Sequence, residues 1–406
     1  MLTRNLVFVV FLSASMGYAS DTAAPFTVEE AVSRALNAHP AVQGAFLAVE
    51  EEQGAALQAG LPPNPEVDIG VESWSVSRGA DTDMEVLVGV SQRLPLSGAR
   101  RAARKAGMTG AAAAGLEAET VKREIAARVA RLFYEILAAQ ERTVLAEENC
   151  NREAHLAELT RKRFELGDLP EVDWIRADAE HERYRGTLNE ALRERDALRA
   201  RLAHICGMTP DTLPDCSGEI MPQPEDIPQI NSLEEWLASA SRHRAHLLRE
   251  TQAVEETEAL RRMAMPEPSL RVGWVQDTVA DAAGMDVGLS IGLPLFDRNQ
   301  GSITASKARE QRIRAEREAS LQEEIREAGA LLDEVYRKRE HAIHLRDKVL
   351  AGQEQSREIL SRSLELGGAS LFEVLAGHRA VSETRLAILE NEMRARFALL
   401  ALEALL

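Results

Sequence analysis

Two histidine pairs, His243 with His246 and His341 with His344, stand three residues apart, a spacing that puts both imidazoles on one helix face where they could share a metal ion. Two ligands do not make a site. Met263 with Met265 is an equally weak hint. Cys150, Cys206 and Cys216 are single and unevenly spaced, which is no metal-binding pattern. In an oxidising compartment Cys206 and Cys216 could close a small loop across Met208 to Asp215, although spacing leaves the geometry of a bridge open. No nucleophile, phosphate loop or zinc-protease motif is present, and Gly367-Gly368 sits at a helix end with no strand before it. The expectation is therefore no catalytic residue, no bound metal and no cofactor. Four acids remain: Asp168, Glu171, Asp173 and Glu373, each close to a glycine-marked turn. Acids after a turn cap the following helix and offset its dipole, whereas carboxylates gathered in a ring favour cations.

Composition points to long helices. Aromatic residues are only 4% and charged residues 28%, which suits helices packed along narrow seams. A net charge of -17 argues against nucleic acid, since phosphate binding requires clustered Lys and Arg. It fits a solvated surface or an acidic channel wall. Arg4, the apolar stretch Leu6 to Leu12 and the small residues ending at Ala19 read as a signal peptide over residues 1–19. That stretch is far below the ~18 residues a spanning helix needs. With Cys150 the first cysteine, no lipid anchor is expected.

Two halves of the chain match at an offset of about 200 residues. Phe164 to Gly167 (FELG) answers Leu364 to Gly367 (LELG), and Glu124-Ile125 answers Glu324-Ile325. The plan is a first repeat over 20–207, a Pro-rich acidic linker over 208–231 and a second repeat over 232–406. Each repeat holds a helical lead, two alternating segments, a very long helix, a tight turn and a returning helix.

The alternating segments, about 65–75 and 84–94, then 269–277 and 285–293, read as strands. One face is apolar and the other polar or tiny. Four strands make two hairpins without an evident covering partner, and open edges are unacceptable in lipid, so closure must come from other subunits. Val67, Ile69, Val86, Val88, Val272, Leu289 and Ile291 are expected on the lipid face of a water-filled barrel. Arginine at Val88 should impair insertion, and arginine at Gly89 should be milder.

Helical hairpins are expected over 98–207 and 299–406. Ile125, Val129, Leu132, Ile136, Ala139 and Thr143 form a heptad seam, as do Leu331, Val335, Ala342, Leu345 and Val349. Gly167 and Gly367 supply the left-handed residue that closes each long helix.

These features resemble the TolC family of outer-membrane efflux proteins. The carrying residues are Thr27 to Ala31 with Pro40, LPPNPEV from Leu61, VSQRLPLSGARRAAR from Val90, FYEILAAQE from Phe133 and RFELGDLPEVDWIRADAE from Arg163. The NPEV run and the short chain look most like the cobalt-zinc-cadmium resistance (heavy-metal efflux) subgroup. The resemblance implies a mainly α protein with a membrane β part: a homotrimer pooling four strands per chain into one barrel above a periplasmic helical barrel. It implies an outer-membrane channel subunit of a tripartite efflux system, a passive conduit exporting divalent metal cations. Its partners would be outer-membrane lipid, a periplasmic adaptor and an inner-membrane pump, a proton-driven cation exporter. The adaptor would dock at turns carrying Leu166, Gly167, Asp168, Leu366, Gly367 and Gly368, and the four acids would become rings about the threefold axis. The second turn departs from the pattern, with Ser363 and Leu364 replacing Arg163 and Phe164.

Two rivals stand beside this reading. A drug-efflux or type I secretion channel would share the fold. A soluble periplasmic coiled-coil adaptor or scaffold would interrupt one helical hairpin with soluble β domains, whereas here two hairpins alternate with four strands.

Overall fold

Thr27 opens the first helix of the computed structural model, its hydroxyl accepting the Glu30 amide of α1 (Val28–Ala38) at 3.5 Å. His39 breaks that helix and Pro40 starts α2 (Pro40–Gly60), where a missing amide proton costs nothing. The structure describes residues 26–74, 83–230, 232–277 and 282–405, so the leader assigned to 1–19 lies outside the described residues. Strands β1 (Glu66–Trp74) and β2 (Asp83–Arg93) follow, then α3 (Ala99–Glu165) and α4 (Glu171–Ile205). The second half runs α5 (Leu233–Ala238), α6 (Ser241–Met263), β3 (Pro268–Asp277), β4 (Ala282–Ile291), α7 (Gln300–His344), α8 (Ala351–Glu365) and α9 (Leu371–Ala404).

The four strands form one antiparallel sheet in the order β1-β2-β3-β4. Residues directly opposite one another share a face, so the register sorts the side chains. Ile69, Val88, Trp274 and Met285 make one rung, and Val67, Val90, Val272 and Val287 another. The rung between them on the other face is Asp68, Gly89, Gly273 and Asp286. A Cβ on Gly89 would stand 3.3 Å from the Gly273 Cα, and one on Gly273 would stand 3.2 Å from the Val88 carbonyl oxygen. Both contacts are tight, so a side chain at either glycine requires the facing backbone to give by a few tenths of an ångström.

Helix α3 has 67 residues and spans about 100 Å. Its seam from Ile125 to Thr143 is buried and continues in strict heptads through Ala146, Cys150, Glu153, Ala157 and Thr160. The Thr143 and Thr160 hydroxyls donate to the carbonyls four residues back, which lets polar side chains occupy the seam. The second seam is shorter than expected. Val335 and Ala342 are buried, but residues Leu345–Leu350 form a π-helical turn and Leu345 and Val349 are only half-buried. The wider turn carries an extra residue and rotates the following side chains off the seam.

The main core gathers Phe26, Phe133, Ile136, Leu202 and Leu389 around the middle of α3. The segment after α4 is packed against this core through Leu213, Cys216 and Ile220. Leu213, Cys216, Ile220 and Ile227 are buried, and the Cys206 and Cys216 thiols are unbridged. Arg396 of α9 donates to the carbonyls of Ile220, Glu219 and Met221, pairs with Asp226 and lies over the Tyr134 ring. One buried guanidinium therefore pins the strap to both α9 and α3.

Candidate functional site: two helix turns and an exposed sheet face

Both hairpins reverse through the same hydrogen-bond pattern. The Gly167 amide donates to Phe164 O at 2.9 Å and the Asp168 amide to Arg163 O at 2.8 Å; the Gly367 and Gly368 amides repeat this on Leu364 and Ser363. Gly167 and Gly367 take φ of 83° and 77°, the left-handed conformation that satisfies the last carbonyls of a helix. Leu166 is 77% exposed and Leu366 88%, so neither leucine staples the returning helix.

Around the turns the halves differ. Phe164 stacks on Trp174 with ring centroids 5.8 Å apart, whereas Leu364 is buried among Leu156, Ala157, Leu371 and Val374. The Arg163 guanidinium donates to the Leu364 carbonyl at 2.7 Å and so joins the two hairpins near their tips. The basic residue that the second turn lacks is thus supplied by the first.

The four acids are not equivalent. Asp168 and Glu171 are exposed at the first turn. Asp173, in the first turn of α4, is half-buried and 4.0 Å from Arg176. Glu373 faces back on its own helix start, accepting from the Ser370 amide at 2.8 Å and hydroxyl at 2.7 Å. Those bonds hold its carboxyl below the usual range, and the capping role accounts for it.

On the sheet, the register places Val67, Ile69, Val86, Val88, Val272, Leu289 and Ile291 on a single face. All are exposed except Val86, which is half-buried. Trp274, Met285 and Val287 extend the same apolar surface. The opposite face carries Glu66, Asp68, Ser91, Arg271 and Asp286 among glycines. Among the described residues no helix is long and apolar enough to cross a membrane, and no group of three metal-ligating side chains occurs, so neither histidine pair is completed.

Sequence reasoning missed the polar contacts between hairpins. Glu153 on α3 and His378 on α9 are buried together, and Arg385 on α9 holds Glu148 on α3 and Glu354 on α8. Arg379 on α9 pairs with Glu180 on α4. Extending the α3 seam past Thr143 in steps of three and four lands on Glu153, so a signal for one member was present.

A long helical hairpin pair joined to a four-stranded sheet with an apolar outer face is the architecture of outer-membrane channels. The model of the outer membrane efflux protein family matches residues 31–208. The chain is 26% identical over 374 residues to the cobalt-zinc-cadmium resistance protein CzcC of Cupriavidus metallidurans, covering 90% of this chain and 86% of that protein. Its fold matches the crystal structure of CusC with a TM-score of 0.79 and 17% identity, over 93% of this chain and 91% of that one. The outer membrane protein VceC of Vibrio cholerae matches with a TM-score of 0.77 and 18% identity, over 93% and 95% of the two chains. These likenesses agree on an outer-membrane efflux channel.

Proposed function

We propose that three copies of this chain pool their sheets into one closed membrane barrel and export divalent metal cations through it as part of a tripartite system. The observation that carries the assembly is the pair of open edges. Among the described residues β1 and β4 each have a strand partner on one side only, while the sheet's apolar face is exposed. Lipid offers no hydrogen bonds, so those edges require strands from other copies. With the apolar face outward, Asp68 and Asp286 turn toward the lumen, and acids lining a pore favour cations. The named role of the CzcC relative in cobalt, zinc and cadmium resistance supports the same substrate class.

In this reading the repeats over 20–207 and 232–406 each supply one strand pair and one helical hairpin. Leu166 to Asp168 and Leu366 to Gly368 receive a periplasmic adaptor, which connects the channel to a proton-driven pump in the inner membrane. Asp168 and Glu171 stand at the mouth as rings of carboxylates.

Deleting the gene tests the substrate. Sensitivity to cobalt, zinc and cadmium salts should rise more than sensitivity to hydrophobic drugs. A strain that changes only its drug susceptibility would remove the metal reading and leave the channel standing.

A further inference from the structure

Behind the hairpin turns, between α3, α8 and α9, lies a cavity of about 320 Å³ whose lining includes Arg152, His155, Arg357, Ser361 and His378. Its wall is basic. Among the described residues the Arg357 side chain makes no hydrogen bond or ion pair, and its Nη1 is sealed from solvent without a partner. The Arg152 guanidinium donates to the neutral Asn149 Oδ1 at 2.8 Å. Burial, and then the charge of the neighbouring Arg357, hold Arg152 below its ordinary value, with Glu153 acting in the opposite sense.

The nearby carboxylates are engaged elsewhere. Glu153 is bonded to His378 through Oε1 while its Oε2 is buried without a partner, Glu148 and Glu354 are bonded to Arg385, and Glu358 to Arg362. Glu365 is exposed at the cavity mouth and pairs with neither guanidinium. Two adjacent guanidiniums, one with an unused buried donor, are an arrangement that a multidentate anion completes, because Arg presents a rigid fork of donors suited to oxyanions.

We propose that this cavity binds a small inorganic oxyanion of the phosphate or sulfate class, held between Arg152 and Arg357. Arg152 belongs to α3 and Arg357 to α8. The bound anion therefore bridges the two helical hairpins of one chain, so occupancy of the cavity stiffens the tip of the helical assembly. Neither the trimer nor the metal substrate is needed for this site.

The detergent-purified protein is titrated with sodium phosphate against sodium chloride at matched ionic strength while thermal unfolding is followed. Wild type should show a saturable rise in midpoint with phosphate. Losing one charge-assisted donor should weaken phosphate binding about tenfold or more in Arg357→Gln. Arg312→Gln, which removes an exposed arginine paired with Glu316, should keep the wild-type response. Calorimetric titration with phosphate reads binding directly if Arg357→Gln alters unfolding itself. No saturable phosphate response in wild type, or equal phosphate affinity in Arg357→Gln and wild type, overturns the proposal.

Discussion

His378 Nδ1 lies 2.7 Å from Glu153 Oε1 across the α3–α9 seam, with the two residues 5% and 1% exposed. Both occupy buried faces made mostly of apolar residues, and the second Glu153 oxygen is buried without a partner. Removing one member strands the other in a dry seam. His378→Leu should therefore lower stability by about 3 kcal/mol, while Glu153→Leu with His378→Leu should recover most of that loss. Urea unfolding of both single variants and the double variant checks this. A double variant no more stable than His378→Leu alone would show that the pair is not coupled.

Val88 and Gly89 are neighbours on β2 that face opposite sides of the sheet. Arginine at Val88 places a charge on the apolar face, at a cost of about 2–4 kcal/mol near a bilayer midplane, so recovery from outer membranes should fall. Gly89→Val should also reduce recovery, for a different reason: its Cβ meets the Gly273 backbone. Wild-type yields of Val88→Arg in the outer membrane fraction would refute the facing assigned to the strand.

The turns can be separated from the body of the protein. Leu166 and Leu366 are exposed, so Leu166→Asp with Leu366→Asp should leave folding and oligomerisation unchanged. If the turns receive the adaptor, the same double variant should lose crosslinking to it and fail to support efflux. Undiminished crosslinking of an intact assembly would exclude the turns as the contact.

Arg249 on α6 reaches Glu117 of α3 at 2.9 Å and Glu52 of α2 at 3.0 Å. The bond from Arg249 holds the Glu117 carboxyl below its ordinary value of 4.5, against the opposing effect of burial. A carboxyl depressed in the folded state adds stability that is present above pH 4.5 and is lost as pH falls through the folded value. Arg249→Met should therefore be less stable than wild type at pH 7, with the gap closing on acidification below about pH 4. Thermal midpoints across pH 3 to 7 measure it, and a gap that stays constant would mean that this contact carries no proton linkage.

Much of this architecture was legible because it rests on short-range patterns. Period-two alternation at Val67, Ile69, Val86 and Val88 marks strands, and glycine at 167 and 367 marks the turns. The π-helical turn at Leu345–Leu350 was not legible, since its residues continue a plausible heptad and no proline or glycine announces the break. The strap over 208–231 was read as a linker from its prolines and acids, whereas its buried residues and its bonds to Arg396 depend on a helix more than 160 residues away.

By itself the sequence determined which elements form, which strand face is apolar and where the helices reverse, because each follows from neighbours within a few residues. Only the tertiary structure decided which distant side chains meet. Asp168, Glu171, Asp173 and Glu373 were alike as residues near turns, yet only Glu373 is folded back onto a cap. Arg163 could not be known to reach the Leu364 carbonyl, nor Arg152 to stand beside an unpartnered Arg357. Those pairings depend on how two hairpins from opposite halves of the chain lie side by side, which is set by the packing of whole helices rather than by any local spacing.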